Sequence, residues 1–278
     1  MILQKLEYQV TILASRLVGD QTAILTLAAP EIAAQAEPGQ FVSLSCDRFL
    51  RRPLGIMSVG RTAGQETISV GIRIQGAGTA WLAALKPGAR LSVLGPLGHG
   101  FSLAGYNRII TVGGGTGVFP LHFVQQICRE RGIDSLAVCG YRSRPESFLT
   151  DEFTGLGCRT LFASDAGDMD MPGNAAQALG QLLTDIPPVP GTAILTCGPK
   201  PMLQAVADQA VKHGLDCQVS LEERMACGIG VCLVCVCRIK ANIADKERSD
   251  QPGIDEIRQR CCVEGPVFDA RSVIWQET

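Results

Sequence analysis

The N-terminal part of the chain alternates apolar and polar residues in short segments that turn-forming residues separate. The segments QFVSLSC, TISVGIRI and RLSVLGPLG carry the period-2 pattern of half-buried strands, and EPGQ, TAGQE and KPGA are typical of turns. One helical segment, TAWLAALK, ends at Pro87 and Gly88. The pattern predicts an antiparallel β-barrel carrying one helix over residues 1–103.

Beyond this region, buried strands alternate with helices. Strands are predicted at RIITVGG, SLAVCGY, RTLFASD, TAILTCG and DCQVSLE, and helices at GVFPLHFVQQICRERG, NAAQALGQLLTD and KPMLQAVADQAVKHG. Such alternation is typical of a doubly wound parallel sheet, here over residues 104–218. Residues 219–278 then form a small third module, so the predicted fold class is multi-domain β plus α/β.

The composition fits a globular protein that does not bind nucleic acid. Hydrophobic residues make up 46% and charged residues 19% of the 278 residues, and the formal net charge is -2. Nucleic-acid phosphates favour a basic surface, which this balance does not supply. No apolar run reaches the ~18 residues of a membrane helix. The start, MILQKLEYQVTIL, lacks the parts of a signal peptide and alternates like an edge strand, so we expect a cytoplasmic protein.

The 12 cysteines therefore need an explanation other than structural disulfides, which are rare in the cytoplasm. Isolated cysteines are predicted to be small core residues: Cys46, Cys128, Cys139, Cys158 and Cys217. The spacing Cys227-x4-Cys232-x2-Cys235, followed by a later cysteine, is that of plant-type [2Fe-2S] sites. Gly228 and Gly230 allow the tight curl that such a loop needs.

Two alternatives to an iron–sulfur cluster remain, a structural zinc site and inert buried thiols. Zinc usually takes two Cys-x2-Cys pairs, and the first gap here is longer than that. Spacing alone leaves the fourth ligand open among three cysteines: Cys237, Cys261 and Cys262.

Three strand-to-helix turns predict a nucleotide crevice. The first, TVGGGTGVFPL, has glycines that let a pyrophosphate approach backbone amides at a helix N-terminus, although a tight turn without a ligand would look similar. TCGPKPML and CGYRSRPESF are the other two turns at the same sheet edge. Asp165 follows a further strand and would repel a 2'-phosphate, so NADH is expected rather than NADPH.

Two segments of the barrel are candidates for holding a flavin. Arg52 in RRPLGI can make charge-assisted bonds to a pyrophosphate, and the amides of Gly76 to Thr79 open the short helix. A surface arginine and a plain helix cap are the alternatives.

The order of RRPL, GGGTGVFPL, CGPKPML, SLEERMACGIGVCLVC and CVEGPVF resembles the electron-transfer subunit of class 1B dihydroorotate dehydrogenase, in the ferredoxin-reductase superfamily. The resemblance covers essentially the whole chain. It implies FAD, one [2Fe-2S] cluster and NAD(H) as cofactors. It also implies a cytoplasmic heterotetramer, two of each subunit, with an FMN-containing dihydroorotate dehydrogenase catalytic subunit in pyrimidine biosynthesis. No catalytic acid or base is implied, because the cofactors carry the chemistry.

The resemblance also assigns site residues. The implied flavin-binding residues are Arg52, Pro53, Leu54, Gly55, Gly71, Ile72, Arg73, Gly78 and Thr79. The implied nucleotide-binding residues are Gly114, Gly115, Thr116, Gly117, Cys197, Gly198 and Pro199. The implied cluster ligands are Cys227, Cys232, Cys235 and Cys262.

Three features depart from the family pattern. Gly55 stands where a serine is usual, Ile72 stands where an aromatic residue is common, and residues 236–261 form a longer polar insert. The rival expectations are a subunit of NADH-dependent ferredoxin:NADP oxidoreductase or of a sulfhydrogenase, and a zinc-stabilised interaction module. The first of these rivals typically has an aspartate at the position of Cys227.

Overall fold

The computed structural model describes residues 7–19, 21–241 and 255–275. The helices in these ranges are α1 (Pro30–Ala33), α2 (Ala77–Ala83), α3 (Val118–Arg131), α4 (Thr150–Gly155), α5 (Ala175–Asp185) and α6 (Lys200–Lys212). The strands are β1 (Glu7–Gly19), β2 (Thr22–Ala28), β3 (Phe41–Leu44), β4 (Arg52–Thr62), β5 (Gln65–Arg73), β6 (Arg90–Leu97), β7 (Arg108–Gly114), β8 (Asp134–Tyr141), β9 (Arg159–Ser164), β10 (Met171–Pro172), β11 (Thr192–Cys197), β12 (Asp216–Ser220), β13 (Val236–Lys240), β14 (Glu256–Arg260) and β15 (Val267–Asp269).

Strands β1 to β6 form a closed antiparallel barrel in the order β1-β2-β5-β4-β3-β6. Alternate residues of each strand point inward, because the side-chain period of a strand is two. Inward-facing Ile12, Leu25, Ile68 and Val93 are fully buried in one hydrophobic cluster. Helix α2 lies against β1, β2 and β5. The predicted antiparallel barrel and its helix at TAWLAALK are confirmed, and the short helix α1 between β2 and β3 was not predicted.

The second layer is a seven-stranded sheet in the order β10-β9-β8-β7-β11-β12-β15, in which all pairs except β12–β15 are parallel. Helix α3 covers one face, where Leu121 packs with Ile109 and Leu195, and α5 and α6 cover the other. The strand order reverses between β7 and β11. Ligands of doubly wound sheets bind at such a switch point, at the carboxyl ends of the strands.

The C-terminal segment does not form an isolated unit. Strands β13 and β14 pair as an antiparallel hairpin, and β15 adds to the edge of the parallel sheet through β12. The domain boundaries at residues 103 and 218 remain predictions, and β15 ties the third module to the second. Residues 242–254 of the predicted polar insert, and the first six residues of MILQKLEYQVTIL, lie outside the described residues. None of the helices described has both the length and the hydropathy needed to span a bilayer.

Candidate functional site

A cleft of about 460 Å³ lies between the barrel and the parallel sheet. Helix α3 closes it from one side, since Phe119 packs on β5 at Gly71 and Pro120 packs on β4 at Gly55. Six residues of the predicted flavin set line this cleft: Pro53, Leu54, Gly55, Gly71, Arg73 and Thr79. Thr116 and Cys197, which the sequence assigned to nucleotide binding, line it as well. The cleft is large and open enough to admit a flat aromatic ring system.

Arg52 precedes Pro53, which lines this cleft, and its guanidinium lies directly against the start of α2. Its Nη1 donates to the carbonyl of Leu50 at 2.8 Å, and a Cβ added to Gly78 would lie 2.5 Å from its Nη2. None of the described carboxylates pairs with Arg52. The neighbouring Arg51 is occupied, since its Nη2 donates to Glu7 Oε1 at 2.7 Å and to Ser92 Oγ at 2.8 Å. Arg52 is thus the cation of the pair that is available to a phosphate.

Backbone amides of the turn before α2 are already hydrogen-bonded to a side chain of the same segment. Thr79 Oγ1 accepts hydrogen bonds from the amides of Gln75 and Gly76, at 3.0 and 3.2 Å. The expectation that the amide of Gly76 is free for phosphate is therefore wrong, because Thr79 satisfies it.

Ile72, one of the predicted flavin residues, does not line the cleft. Its side chain is fully buried in the barrel interior, whereas Gly71 and Arg73 on either side line the cleft. Alternation along β5 produces this result, since neighbouring side chains point to opposite faces of a strand. An aromatic side chain at this position would therefore point into the barrel core.

A second cleft of about 240 Å³ lies at the carboxyl ends of β7, β8, β9 and β11. Gly114, Gly115 and Pro199 of the predicted nucleotide set line it, and so does Asp165. Gly115 has a φ of +53° and nothing within 4 Å of an added Cβ, so its backbone is open to a ligand. All three predicted turns line this cleft.

Two other glycines of these turns serve packing. A Cβ on Gly117 would lie 2.1 Å from the carbonyl oxygen of Cys197, and one on Gly198 would lie 2.8 Å from Met202 Cε. Neither glycine lines the described clefts. They bring the starts of α3 and α6 close to β11, which positions the turns that do line the cleft.

Several residues of the clefts were missed by sequence reasoning. Arg73 lines both clefts, although the sequence assigned it to the flavin alone. Phe119 and Phe148 line one cleft each and stack on one another, with ring centroids 5.0 Å apart and an interplanar angle of 17°. Phe119 lies two residues after Gly117, and Phe148 ends the predicted turn CGYRSRPESF, so their places in these turns were the only sequence signals for them.

The cysteine loop lies against the barrel beside the flavin cleft. Residues Glu222 to Met225 line the cleft, and Gly228 approaches Leu97 and Ser43 of the barrel. Gly228 and Gly230 have φ values of +71° and +84°, as the predicted curl requires.

The backbone of the loop polarises the first thiol. Burial acts to raise the pKa of Cys227, but hydrogen bonds outweigh it and lower that pKa to about 6. The donors include the amide of Ile229, whose nitrogen lies 3.4 Å from Cys227 Sγ, and the thiol of Cys232. Donors of this kind stabilise a thiolate, which is the form that binds iron.

The thiols of this region fall into pairs. Cys232 donates to Cys227, and Cys262 donates to Cys235. Burial, and then the bond to Cys235, raise the pKa of Cys262 to about 12. Among the described residues no three metal-ligating side chains converge on one point. Two separate pairs suit a two-iron rhomb, in which each tetrahedral iron takes two thiolates beside its two sulfides.

The two remaining thiols nearby form a pair of their own. Cys261 donates to Cys237, which raises the pKa of Cys261 and lowers that of Cys237. Both side chains are buried. The donor set of Cys227, Cys232, Cys235 and Cys262 therefore fits a [2Fe-2S] cluster, and Cys261 and Cys237 lie behind it.

The comparisons with known proteins agree with this geometry. Residues 222–274 match the family model of the iron-sulfur cluster binding domain of dihydroorotate dehydrogenase B. The dihydroorotate dehydrogenase B (NAD(+)) electron transfer subunit of Geobacillus thermodenitrificans is 36% identical over 276 residues, covering 96% of this chain and 98% of that protein. The corresponding subunit of Enterococcus faecalis is 34% identical, covering 98% of this chain and all of that protein (100%).

Solved structures show the same fold at lower identity. The NADH-dependent reduced ferredoxin-NADP oxidoreductase superposes with a TM-score of 0.80 at 24% identity, covering 99% of this chain and 92% of that one. A ferredoxin NADP+ reductase of Neisseria gonorrhoeae with bound FAD and NADP gives 0.62 at 15% identity, covering 76% and 93%. The resemblance drawn from the sequence motifs is confirmed by the near full-length relatives. The chain belongs to the family of electron transfer subunits of dihydroorotate dehydrogenase B.

Proposed function

We propose that this chain passes electrons between NAD(H), an FAD, a [2Fe-2S] cluster and an FMN-containing catalytic subunit that oxidises dihydroorotate in pyrimidine biosynthesis. One observation carries the proposal. The cleft with the flavin residues touches the nucleotide cleft on one side, through Arg73, and the cysteine loop on the other, through Glu222 to Met225. Hydride donor, flavin and one-electron carrier would then lie in sequence.

The flavin is held by backbone and by one cation. Pro53 to Gly55 and Gly71 offer two bare strand segments to a ring system, since neither glycine has a side chain in the cleft. Arg52, which lacks a carboxylate partner among the described residues, supplies charge to the pyrophosphate. Bound there, FAD supplies the step from paired to single electrons.

The nucleotide is positioned by the turns after β7, β9 and β11. Open backbone at Gly115 faces the pyrophosphate, and Asp165 lies where the ribose 2'-hydroxyl would bond, which favours NAD(H) over its phosphorylated form. The stacked pair Phe119–Phe148 lies between the two clefts, with one ring lining each of them. No acid–base residue is required of the chain, because hydride transfer depends on positioning.

The cluster site faces solvent through an apolar surface. Ile229, Val231, Leu233 and Val234 are between 46% and 74% exposed around the ligand cysteines. Contiguous exposed apolar residues mark protein-binding surfaces, and this one surrounds the last redox site of the chain. It supports docking of the catalytic subunit here, with two copies of each subunit in a cytoplasmic assembly.

Purification of the chain together with its catalytic subunit tests the proposal. Expected are flavin absorption near ~450 nm with iron–sulfur shoulders, bleaching on addition of NADH, and a native mass of two plus two subunits. A colourless protein that takes up neither iron nor flavin on reconstitution would refute it and favour the zinc-stabilised module. Flavin and cluster with ferredoxin as the only partner would favour the related ferredoxin:NADP oxidoreductase.

A further inference from the structure

An ion pair links the nucleotide turn to the segment that leads into the cysteine loop. Lys200 Nζ lies 2.6 Å from Glu223 Oε1, with side-chain exposures of 50% and 20%. Lys200 is the first residue of α6 and follows Pro199, which lines the nucleotide cleft. Glu223 lines the flavin cleft shortly before Cys227. The pair therefore lies between the region that receives electrons and the region that passes them on.

Both charges lie close to the sulfur atoms behind the cluster site. Lys200, Glu223 and Cys237 line a common cavity of about 100 Å³. Cys237 is buried in the hydrophobic cluster that also contains Cys235. Cys237 is two residues from Cys235, so the two charges lie near the strand that leaves the proposed cluster site, and charges near a cluster shift its reduction potential.

The sign of each charge determines its effect on reduction. Reduction adds one negative charge to a site that already carries four thiolates, so a carboxylate nearby opposes it and an ammonium favours it. Glu223 alone would hold the cluster in its oxidised form, and Lys200 offsets that effect. A purely structural role of the ion pair would not make the two charges shift the reduction potential in opposite directions. An ion pair exposed to this degree also contributes little to stability.

We propose that the Lys200–Glu223 ion pair tunes the reduction potential of the cluster, with Lys200 neutralising a carboxylate that otherwise opposes the arrival of an electron. The proposal rests on the proposed function, since it needs the cluster to be present. Lys200 and Glu223 are positioning residues in this role; neither touches the proposed ligands.

Redox titration of the purified complex, followed by the cluster's spectrum, tests the proposal. Lys200→Met should lower the midpoint potential and Glu223→Gln should raise it, each changing the reduction equilibrium about two- to fivefold. The double variant should return close to the wild-type potential, and Lys200→Arg should retain it. Lys212→Met is the matched control, since Lys212 lies exposed in the last turn of the same helix.

The outcomes separate this proposal from the proposed function. Wild-type complex that holds no cluster refutes both. A wild-type cluster with unchanged potentials in Lys200→Met and Glu223→Gln refutes the role of the ion pair alone. Shifts of both single variants in the same direction, with loss of iron, would show a structural role and likewise overturn the proposal.

Discussion

Two buried cysteines of the parallel-sheet region and Cys227 of the cluster loop behave in opposite ways. Cys128 and Cys217 lie among apolar side chains, and burial raises the pKa of each to about 12. Burial acts in the same direction on Cys227, yet the loop amides bring its pKa down to about 6. The comparison teaches that donors aimed at a sulfur can outweigh burial and favour the thiolate, as they do at Cys227, whereas burial dominates at Cys128 and Cys217.

The largest effect is expected when each of the two adjacent cysteines of the C-terminal module is replaced by serine in turn. Cys262→Ser should abolish the cluster, because Cys262 pairs with Cys235, whereas Cys261→Ser should largely retain it, because Cys261 pairs with Cys237. Iron content and visible absorption measure the result. Equal iron loss in both variants, or loss at Cys261 alone, would contradict the assignment.

Alkylation of metal-free protein sharpens the same contrast. At pH 7 a thiol of pKa about 6 is about 90% thiolate and one of pKa about 12 is about 0.001% thiolate, so iodoacetamide should label Cys227 and spare Cys128 and Cys217. Because the Cys227 pKa is lowered, acidification from pH 7 to pH 5 should slow its labelling about tenfold; an ordinary thiol would slow about a hundredfold. Peptide mass spectrometry reads each site, and a hundredfold slowing at Cys227 would rule out the low pKa.

The neighbouring arginines Arg51 and Arg52 give a second contrast, between a side chain that is occupied by protein partners and one that is available to a ligand. Arg52→Ala should weaken FAD binding about tenfold, through loss of a charge-assisted bond, with little change in melting temperature. Arg51→Ala should lower the melting temperature and leave FAD binding nearly unchanged, because Arg51 bonds to Glu7 and Ser92. Flavin titration and thermal denaturation separate the two effects. Equal flavin loss in both variants would count against a specific phosphate role for Arg52.

The smallest effect is expected at Gly55 of the flavin cleft. Gly55→Ser has room, since the nearest atom is Pro120 Cβ at 3.5 Å, and it should change the rate of flavin reduction by NADH only a few-fold with normal folding. Gly71→Ala is the contrasting variant, because its Cβ would lie 2.3 Å from the Phe119 ring and should disturb the cleft. Stopped-flow absorption measures the rates. Failure of Gly55→Ser to fold would contradict the open packing there.

The barrel, the parallel sheet and the cysteine loop followed from local patterns because their periodicity and turn chemistry reflect burial directly. Helix α4 and strand β15 did not, since each is too short to carry a period. The sequence also did not predict to which face of β5 the Ile72 side chain points. That depends on barrel closure, which fixes which alternate residues point inward.

The sequence by itself determined the fold class, the cofactor motifs and three of the four proposed cluster ligands, because each of these depends on spacing within a short segment. Only the tertiary structure paired Cys262 with Cys235, separated Arg52 from Arg51, and brought Lys200 to Glu223. These contacts join segments that are distant along the chain or depend on which way a side chain turns. Such relations arise from the packing of barrel, sheet and loop against one another, and no local pattern encodes them.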